Sequence, residues 1–168
     1  MRAQVDPEFA SYVAARQHQF LRVAFLVCGD RRLAEDLLQE AFVKLALRWD
    51  KIRAENPDGF VRTVLYRDAV SAWRHRRREV LVDVVPEHRR RGEEPDRSTM
   101  RIDLLGALDT LTAKQRAVVV LRYFEDRSVA EAADALGVSE GTVKSQTYAA
   151  LDRLRAVIPG YVGQEEER

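Results

Sequence analysis

The sequence predicts an all-α protein in which a flexible linker joins two small helical domains. Apolar residues recur with helical spacing over most of the chain, as they do in residues 129–136. Helix caps precede several of these stretches, for example Asp6-Pro7 and Asn56-Pro57. Residues 79–99 lack the periodicity and combine two prolines, a glycine and mixed charge, which is typical of a linker. We therefore predict one domain at residues 1–78, the linker at 79–99, a second domain at 100–160 and a disordered tail at 161–168.

The composition of the 168-residue chain excludes several classes of protein. The sequence has no run of about 18 apolar residues, so we expect no insertion into a membrane. It does not begin with the pattern of a signal peptide and has a single cysteine, Cys28, which together favour a cytoplasmic location. The three histidines stand at no metal-ligand spacing, and the sequence has no phosphate-binding loop or nucleophile–base pair. We therefore predict neither an enzyme nor a bound metal or other cofactor.

The first domain is predicted to contain three helices. The first begins at Asp6-Pro7 and ends at Gly29, because glycine tolerates the left-handed conformation of a helix C-cap. The second, at about residues 31–49, combines a wide apolar stripe with the polar residues Glu35, Asp36, Gln39 and Glu40. Taken by themselves, these acids favour a solvated surface near a helix N-terminus, where the helix dipole stabilises negative charge.

The third helix, at about residues 57–78, carries aromatic and basic residues on one stripe. The stripe consists of Arg62, Tyr66, Val70, Trp73 and Arg77, and it ends in a basic cluster at residues 74–78. Aromatic rings can stack on unpaired bases while guanidinium groups hold phosphates, so the pattern favours single-stranded or partly opened DNA. The alternative is that Tyr66 and Trp73 belong to the core and the arginines only solubilise the helix.

The second domain is predicted to be helical as well. Leucines at 104, 105, 108 and 111 indicate a short helix, and a capping box of Thr112 and Gln115 begins the next one. The three valines at 118–120 are typical of a strand. The capping box and the helical surroundings nevertheless favour a helix there.

Residues 128–155 have the pattern of a helix-turn-helix. Ser128 and Glu131 form a capping box, Gly137 suits the turn, and Ser139 caps the second helix, which would lie in the major groove of DNA. The alternative is an ordinary helical hairpin inside a bundle. The residues predicted to bind DNA are Ser139, Glu140, Gly141, Thr142, Lys144, Ser145, Gln146 and Tyr148.

Charge is distributed unevenly along the chain. Residues 1–78 hold 15 basic and 10 acidic side chains, a net charge of +5, whereas residues 105–168 hold 8 and 10, a net charge of −2. The affinity of a protein for DNA depends largely on the phosphates that it neutralises. We therefore expect the acidic helix-turn-helix domain to need another component for tight binding.

Three motifs in this order resemble the small, two-domain extracytoplasmic-function sigma factors of bacterial RNA polymerase. The motifs are AEDLLQEAFVKLALRWD at 34–50, FVRTVLYRDAVSAWRHRRR at 60–78 and LTAKQRAVVVLRYFEDRSVAEAADALGVSEGTVKS at 111–145. The resemblance covers roughly residues 9–78 and 100–157. The patterns GDRRLAEDLLQE and TVKSQT are similar to those of an actinobacterial branch of the family. The resemblance implies a region 2 domain followed by a region 4 domain with the helix-turn-helix.

The resemblance also assigns roles to residues. Asp36, Leu37, Gln39, Glu40 and Phe42 match the D-L-x-Q-E-x-F motif that docks on the β′ coiled coil of the polymerase, which would make the acidic face an interface. The third helix matches the part that captures and opens the downstream promoter element. Its implied DNA contacts are Arg62, Tyr66, Arg67, Trp73, Arg74, Arg76 and Arg77.

The sequence departs from many relatives in two places. Arg67-Asp68 stand where many relatives have an asparagine near the centre of the third helix. Gln146, Thr147 and Ala149 follow T-V-K-S, where relatives often carry more basic residues, and this implies fewer phosphate contacts.

The resemblance thus implies a protein that binds core RNA polymerase, at the β′ coiled coil and the β flap, and directs promoter-specific initiation. Promoter DNA is the second partner, and small sigma factors are often held by an anti-sigma factor, a third. Two alternatives have other functions: a stand-alone helix-turn-helix regulator, and an adaptor that binds polymerase but no longer reads promoters. The basic helix at 57–78 argues against the regulator.

Overall fold

The computed structural model describes residues 6–80 and 97–158, and in those two ranges all regular secondary structure is helical, which confirms the predicted fold class. No helix in these ranges is long and apolar enough to cross a membrane. The first range contains α1 (Pro7–Cys28), α2 (Arg31–Ala46), α3 (Trp49–Ile52) and α4 (Pro57–Val80). The second contains α5 (Arg97–Asp109), α6 (Ala113–Val119), a π-helical turn (Val120–Phe124), α7 (Val129–Leu136) and α8 (Glu140–Val157).

The caps of the first domain lie where the sequence predicts them. The Asp6 side chain accepts the N–H of Glu8 at 2.8 Å and so caps α1. Gly29 ends α1 with φ 74°, in the left-handed region, and Asp30 then caps α2 by accepting the N–H of Leu33.

The second predicted helix is divided in the structure. It extends to Ala46, and a turn at residues 47–48 separates it from the short α3. The turn brings Trp49 into the core, where its ring centroid lies 5.2 Å from that of Phe9 and 5.4 Å from that of Tyr12. The burial of this large ring favours the break, and the apolar periodicity did not reveal it.

The three long helices of the first domain form a bundle. Each contributes buried side chains to one core: Phe20, Val23 and Val27 from α1, Leu38, Ala41 and Leu45 from α2, and Val61, Leu65 and Ala69 from α4. In the second domain a smaller cluster joins α5 and its following turn to α8 through Leu108, Leu111, Ala150 and Leu154.

The valines at 118–120 are helical, as the capping box of Thr112 and Gln115 predicts. The sequence did not predict the π-helical turn that follows α6. In this turn the Glu125 N–H donates to the Val120 carbonyl, one residue further back than in an α-helix. The turn ends at Glu125, whose side chain is directed towards α4.

The two domains pack against each other. The main core continues from α4 into the second domain, where Ala132, Ala133 and Val143 join it. The predicted linker at 79–99 falls mostly outside the described residues, although residues 79 and 80 are the end of α4 and α5 begins at Arg97. The predicted tail at 161–168 lies outside them entirely. The domain bounds therefore stay predictions.

Candidate nucleic-acid and protein interfaces

The helix-turn-helix has the local geometry that the sequence predicts. The Ser128 N–H donates to a Glu131 carboxylate oxygen at 2.8 Å, and the Glu131 N–H donates to the Ser128 hydroxyl at 3.1 Å. The hydrogen bond from the Ser128 backbone lowers the pKa of Glu131. Gly137 ends α7 with φ 65°, and the Ser139 hydroxyl caps α8 by accepting the N–H of Thr142.

The start of α8 is free to contact a large partner. Val143 is buried in the core that α7 shares with α4, and most other residues of the first two turns are exposed. The predicted DNA contacts divide by exposure as follows: Ser139, Glu140, Gly141, Lys144, Ser145 and Tyr148 are exposed, and Thr142 and Gln146 are half-buried. This exposure fits a recognition helix that enters a groove.

The D-L-x-Q-E-x-F motif of α2 points in two directions. Asp36, Gln39 and Glu40 are exposed, whereas Leu37 is buried in the core and Phe42 is half-buried, edge-on to Tyr12 at 6.5 Å. The motif therefore supplies both an outer polar face and the anchors that fix α2 on the bundle.

Two exposed apolar residues continue the outer face of α2. Val43 is 55% exposed and Leu47, at the C-cap, is 82% exposed, and they follow Asp36 and Glu40 at helical spacing. Neither residue was predicted from the sequence to belong to the interface. The available signal was that both are apolar, yet both lie outside the core stripe of the helix.

The predicted stripe on α4 is partly covered. Arg67, Arg74 and Arg76 are exposed, and Arg76 lies 3.5 Å from an Asp30 carboxylate oxygen. Trp73 is half-buried, and nothing is described for the side chain of Arg77. Arg62 and Tyr66, in contrast, are buried between the two domains. Two of the predicted DNA contacts, Arg62 and Tyr66, are therefore not accessible to DNA in this structure.

Arg62 and Tyr66 bind Glu125, an acid of the second domain that was not among the predicted site residues. The Arg62 Nε lies 3.2 Å from both carboxylate oxygens of Glu125, and the Tyr66 hydroxyl donates to one of them at 2.8 Å. The Glu125 side chain is only 2% exposed. Burial, together with the negative charge of Glu125, raises the pKa of Tyr66 well above its ordinary value, so the hydroxyl keeps its proton.

A second contact between the domains is centred on Arg116. Its guanidinium lies 4.9 Å from the centre of the Trp73 ring, and its Nε donates to the Leu26 carbonyl at the end of α1. Asp109 pairs with it from the second domain at 2.6 Å. Burial lowers the pKa of Arg116, and Asp109 opposes that shift. A Cβ at Gly29 would lie 3.3 Å from both Arg116 and Trp73, so glycine permits this close approach.

A basic cleft of about 460 Å³ opens beside this contact. Arg74 and Arg78 line it from α4, Lys114 from α6 and Gln146 from α8, and no carboxylate lines the part that the structure describes. Such a cleft attracts phosphates. Elsewhere in the described ranges, no group of three His, Cys, Asp or Glu residues is placed to hold a metal ion.

Comparisons with known proteins identify the two domains. Residues 12–79 match the family model described as Sigma-70 region 2, and residues 107–156 match Sigma-70, region 4. The RNA polymerase sigma-E factor of Streptomyces avermitilis is 40% identical over 150 residues, which cover 88% of this chain and 83% of that protein. The ECF RNA polymerase sigma factor SigE of Mycolicibacterium smegmatis is 32% identical over 83% of this chain and 58% of its own length. The chain belongs to the extracytoplasmic-function sigma factors.

The fold agrees with that assignment. The sigma factor RpoE of Bartonella quintana, solved in complex with the anti-sigma factor NepR, superposes with a TM-score of 0.67 at 24% identity, over 90% of this chain and 97% of that one. The predicted family, fold class and function are confirmed. This sigma factor binds core RNA polymerase and promoter DNA in transcription initiation. The stand-alone regulator is not favoured.

Proposed function

We propose that this sigma factor docks on core RNA polymerase through α2, reads the upstream promoter element with α8 and opens the downstream element with α4. The observation that carries the proposal is the outer face of α2, defined here as Asp36, Gln39, Glu40, Val43 and Leu47. On this face two carboxylates lie beside two exposed apolar side chains. A mixed face of this kind is typical of a protein interface with an apolar centre and a polar rim.

The partner proposed for the outer face is the β′ coiled coil of the polymerase, and the second domain meets the β flap. Leu37 and Phe42 act from beneath the surface. Since both pack into the bundle, they hold α2 in place and leave contact with the polymerase to the exposed residues.

Upstream reading is assigned to the exposed start of α8. Lys144 would bind a phosphate, while Ser145, Gln146 and Tyr148 can meet base edges in the major groove. Because residues 100–160 hold 8 basic and 8 acidic side chains, this domain has no net positive charge and its affinity for DNA alone is low. The polymerase supplies most of the affinity for the promoter.

Downstream opening is assigned to α4. Unpairing a base costs a few kcal/mol, and stacking on an aromatic side chain returns roughly 1–3 kcal/mol per base. Trp73 and the exposed Arg67 and Arg74 can supply stacking and charge, and Arg62 and Tyr66 join them once the second domain moves away. The chain performs no bond-making step of its own and works on the cytoplasmic polymerase. An anti-sigma factor would be its regulator.

Reconstituted transcription tests the proposal. Purified core polymerase and the full-length chain are incubated with genomic DNA, and transcript starts are mapped by sequencing. We expect starts that share an upstream and a downstream element. If the chain directs no start-specific transcript, it is an adaptor and the proposal is wrong.

A double variant tests the role of α8. Lys144→Ala with Ser145→Ala should weaken protection of the upstream element in footprinting by roughly tenfold. Arg153→Ala is the matched control, since it removes an exposed cation from the far end of the same helix. Equal loss of protection in both variants would contradict the assignment to the start of α8.

A further inference from the structure

The second domain covers the face of α4 that is assigned to promoter opening. Arg62 and Tyr66 both point at Glu125, and all three side chains are shielded from solvent. Trp73, about two turns beyond Tyr66 on α4, lies under the Arg116 guanidinium at 4.9 Å. The Arg67 guanidinium lies so close to Gly137 that a Cβ there would be 2.8 Å from its Nη2. The second domain thus contacts each of these four residues.

The contact resembles a nucleic-acid contact in its chemistry. A guanidinium and a phenolic hydroxyl converge on two oxygens of one anion, which is also how such groups hold the two non-bridging oxygens of a phosphate. The first domain is basic, with a net charge of +5 over residues 1–78, so the acid that reaches α4 meets a positively charged domain. Glu125 therefore offers α4 the same kind of group that DNA would offer.

The Glu125 carboxylate makes no hydrogen bond within the described part of its own domain. Its carboxylate accepts hydrogen bonds only from Arg62 and Tyr66 among the described residues, while its backbone makes the local hydrogen bonds of the turn. The π-helical turn directs this acid out of the second domain and into α4. The small residues Ala132 and Ala133 lie buried in the core that α7 shares with α4, and their size permits a close approach of the two helices.

We propose that in the free chain the helix-turn-helix domain covers the face of α4 that is assigned to promoter opening. In this state Glu125 binds Arg62 and Tyr66 in place of a DNA phosphate. The free chain then cannot capture unpaired DNA until its two domains separate. A buried ion pair returns little net stability after desolvation, so polymerase and DNA can displace this one. The inference rests on the proposed role of α4 in opening.

The test uses the full-length chain with Glu125→Gln, which removes the charge and keeps the shape of the side chain. Asp126→Asn is the matched control: it removes the neighbouring exposed carboxylate, and asparagine tolerates the positive φ of 53° at that position. Small-angle X-ray scattering gives the radius of gyration, and a fluorescent single-stranded 20-mer of mixed sequence reports binding to unpaired DNA.

We expect Glu125→Gln to enlarge the radius of gyration and to tighten binding of the 20-mer by about tenfold, since the charged hydrogen bonds that hold the domains together are weakened. Asp126→Asn should behave as the wild type does. Glu125→Lys, which sets a cation against Arg62, should enlarge the chain further, and circular dichroism verifies that both variants keep their helices.

Two results would overturn the proposal. One is a radius of gyration that is unchanged in Glu125→Gln and in Glu125→Lys. The other is an enlarged chain that binds the 20-mer no better, because the contact would then hide nothing that DNA uses. Failure of the proposed function has a different signature, since it removes start-specific transcripts from wild type and variants alike while the scattering difference between them persists.

Discussion

The sequence predicts two binding faces on the first domain with similar strength, but only one of them is fully exposed in the structure. The outer face of α2 is exposed from Asp36 to Leu47. The aromatic and basic stripe of α4 is covered at Arg62 and Tyr66 by the second domain. A helical stripe therefore defines which residues lie side by side, whereas its accessibility depends on elements far away in the chain.

The largest effect is expected from charge reversal on the exposed face. Asp36→Lys with Glu40→Lys should abolish association with core polymerase, because like charges set against each other at an interface cost several kcal/mol. The fold should survive, since the pair of Glu40 with Lys44 is solvent-exposed and worth little. A pull-down with core polymerase measures the loss, and circular dichroism verifies the helices.

The matched control for this variant is Asp50→Lys with Glu55→Lys. It reverses two exposed acids that have no ion-pair partner in the described ranges, so the change in net charge is the same. If the control also lost the polymerase, or if the first variant kept it, the outer face of α2 would not be the docking surface.

The next prediction separates the two sides of α2. Leu37→Ala should destabilise the protein by about 2–4 kcal/mol, because it leaves a cavity in the core. Leu47→Ala should change stability by less than about 0.5 kcal/mol and should weaken binding to polymerase. Thermal unfolding and pull-down together measure both. The reverse pattern would show that the buried residue of the motif is the contact.

A smaller effect is expected on the covered face. Arg62→Ala leaves the Glu125 carboxylate buried without its cation and should cost up to about 3 kcal/mol in urea unfolding. Arg74→Ala, on the same helix but exposed, should leave the unfolding midpoint unchanged. Equal midpoints for the two variants would mean that the contact between the domains contributes nothing to stability.

The smallest effect is expected at the capping box of Ser128 and Glu131. Because this box lies within the second domain, a change there tests the stability of that domain and not its contact with α4. Because the folded pKa of Glu131 is lowered, its contribution to stability is present above the unfolded pKa of about 4.3 and is lost as the pH falls through the folded value. Glu131→Gln can still accept the Ser128 N–H, so this part of the acid sensitivity should disappear. Unfolding midpoints measured from about pH 6 to about pH 3 verify it, and an unchanged slope in the variant would contradict it.

Local features of the fold, which depend on neighbours three to five residues away, could be predicted from the sequence. The capping boxes at Ser128 and Thr112, and the left-handed glycines at 29 and 137, are local hydrogen-bonding and backbone requirements, so they were readable without a fold. The exposed polar residues of α2 and α8 followed from the same local periodicity, because a helix face left out of the apolar stripe remains in solvent.

The residues that lie against α4 could not be predicted from the sequence, because they come from distant parts of the chain. The sequence pattern is compatible with Tyr66 as a DNA contact or as a core residue, and the folded chain buries it against Glu125, 59 residues away. Arg116 reaches Leu26 across 90 residues, and the π-helical turn that directs Glu125 leaves no periodic signal. A buried ion pair forms between two side chains that are far apart in the sequence and are brought together away from water by the fold, so no local sequence pattern predicts it.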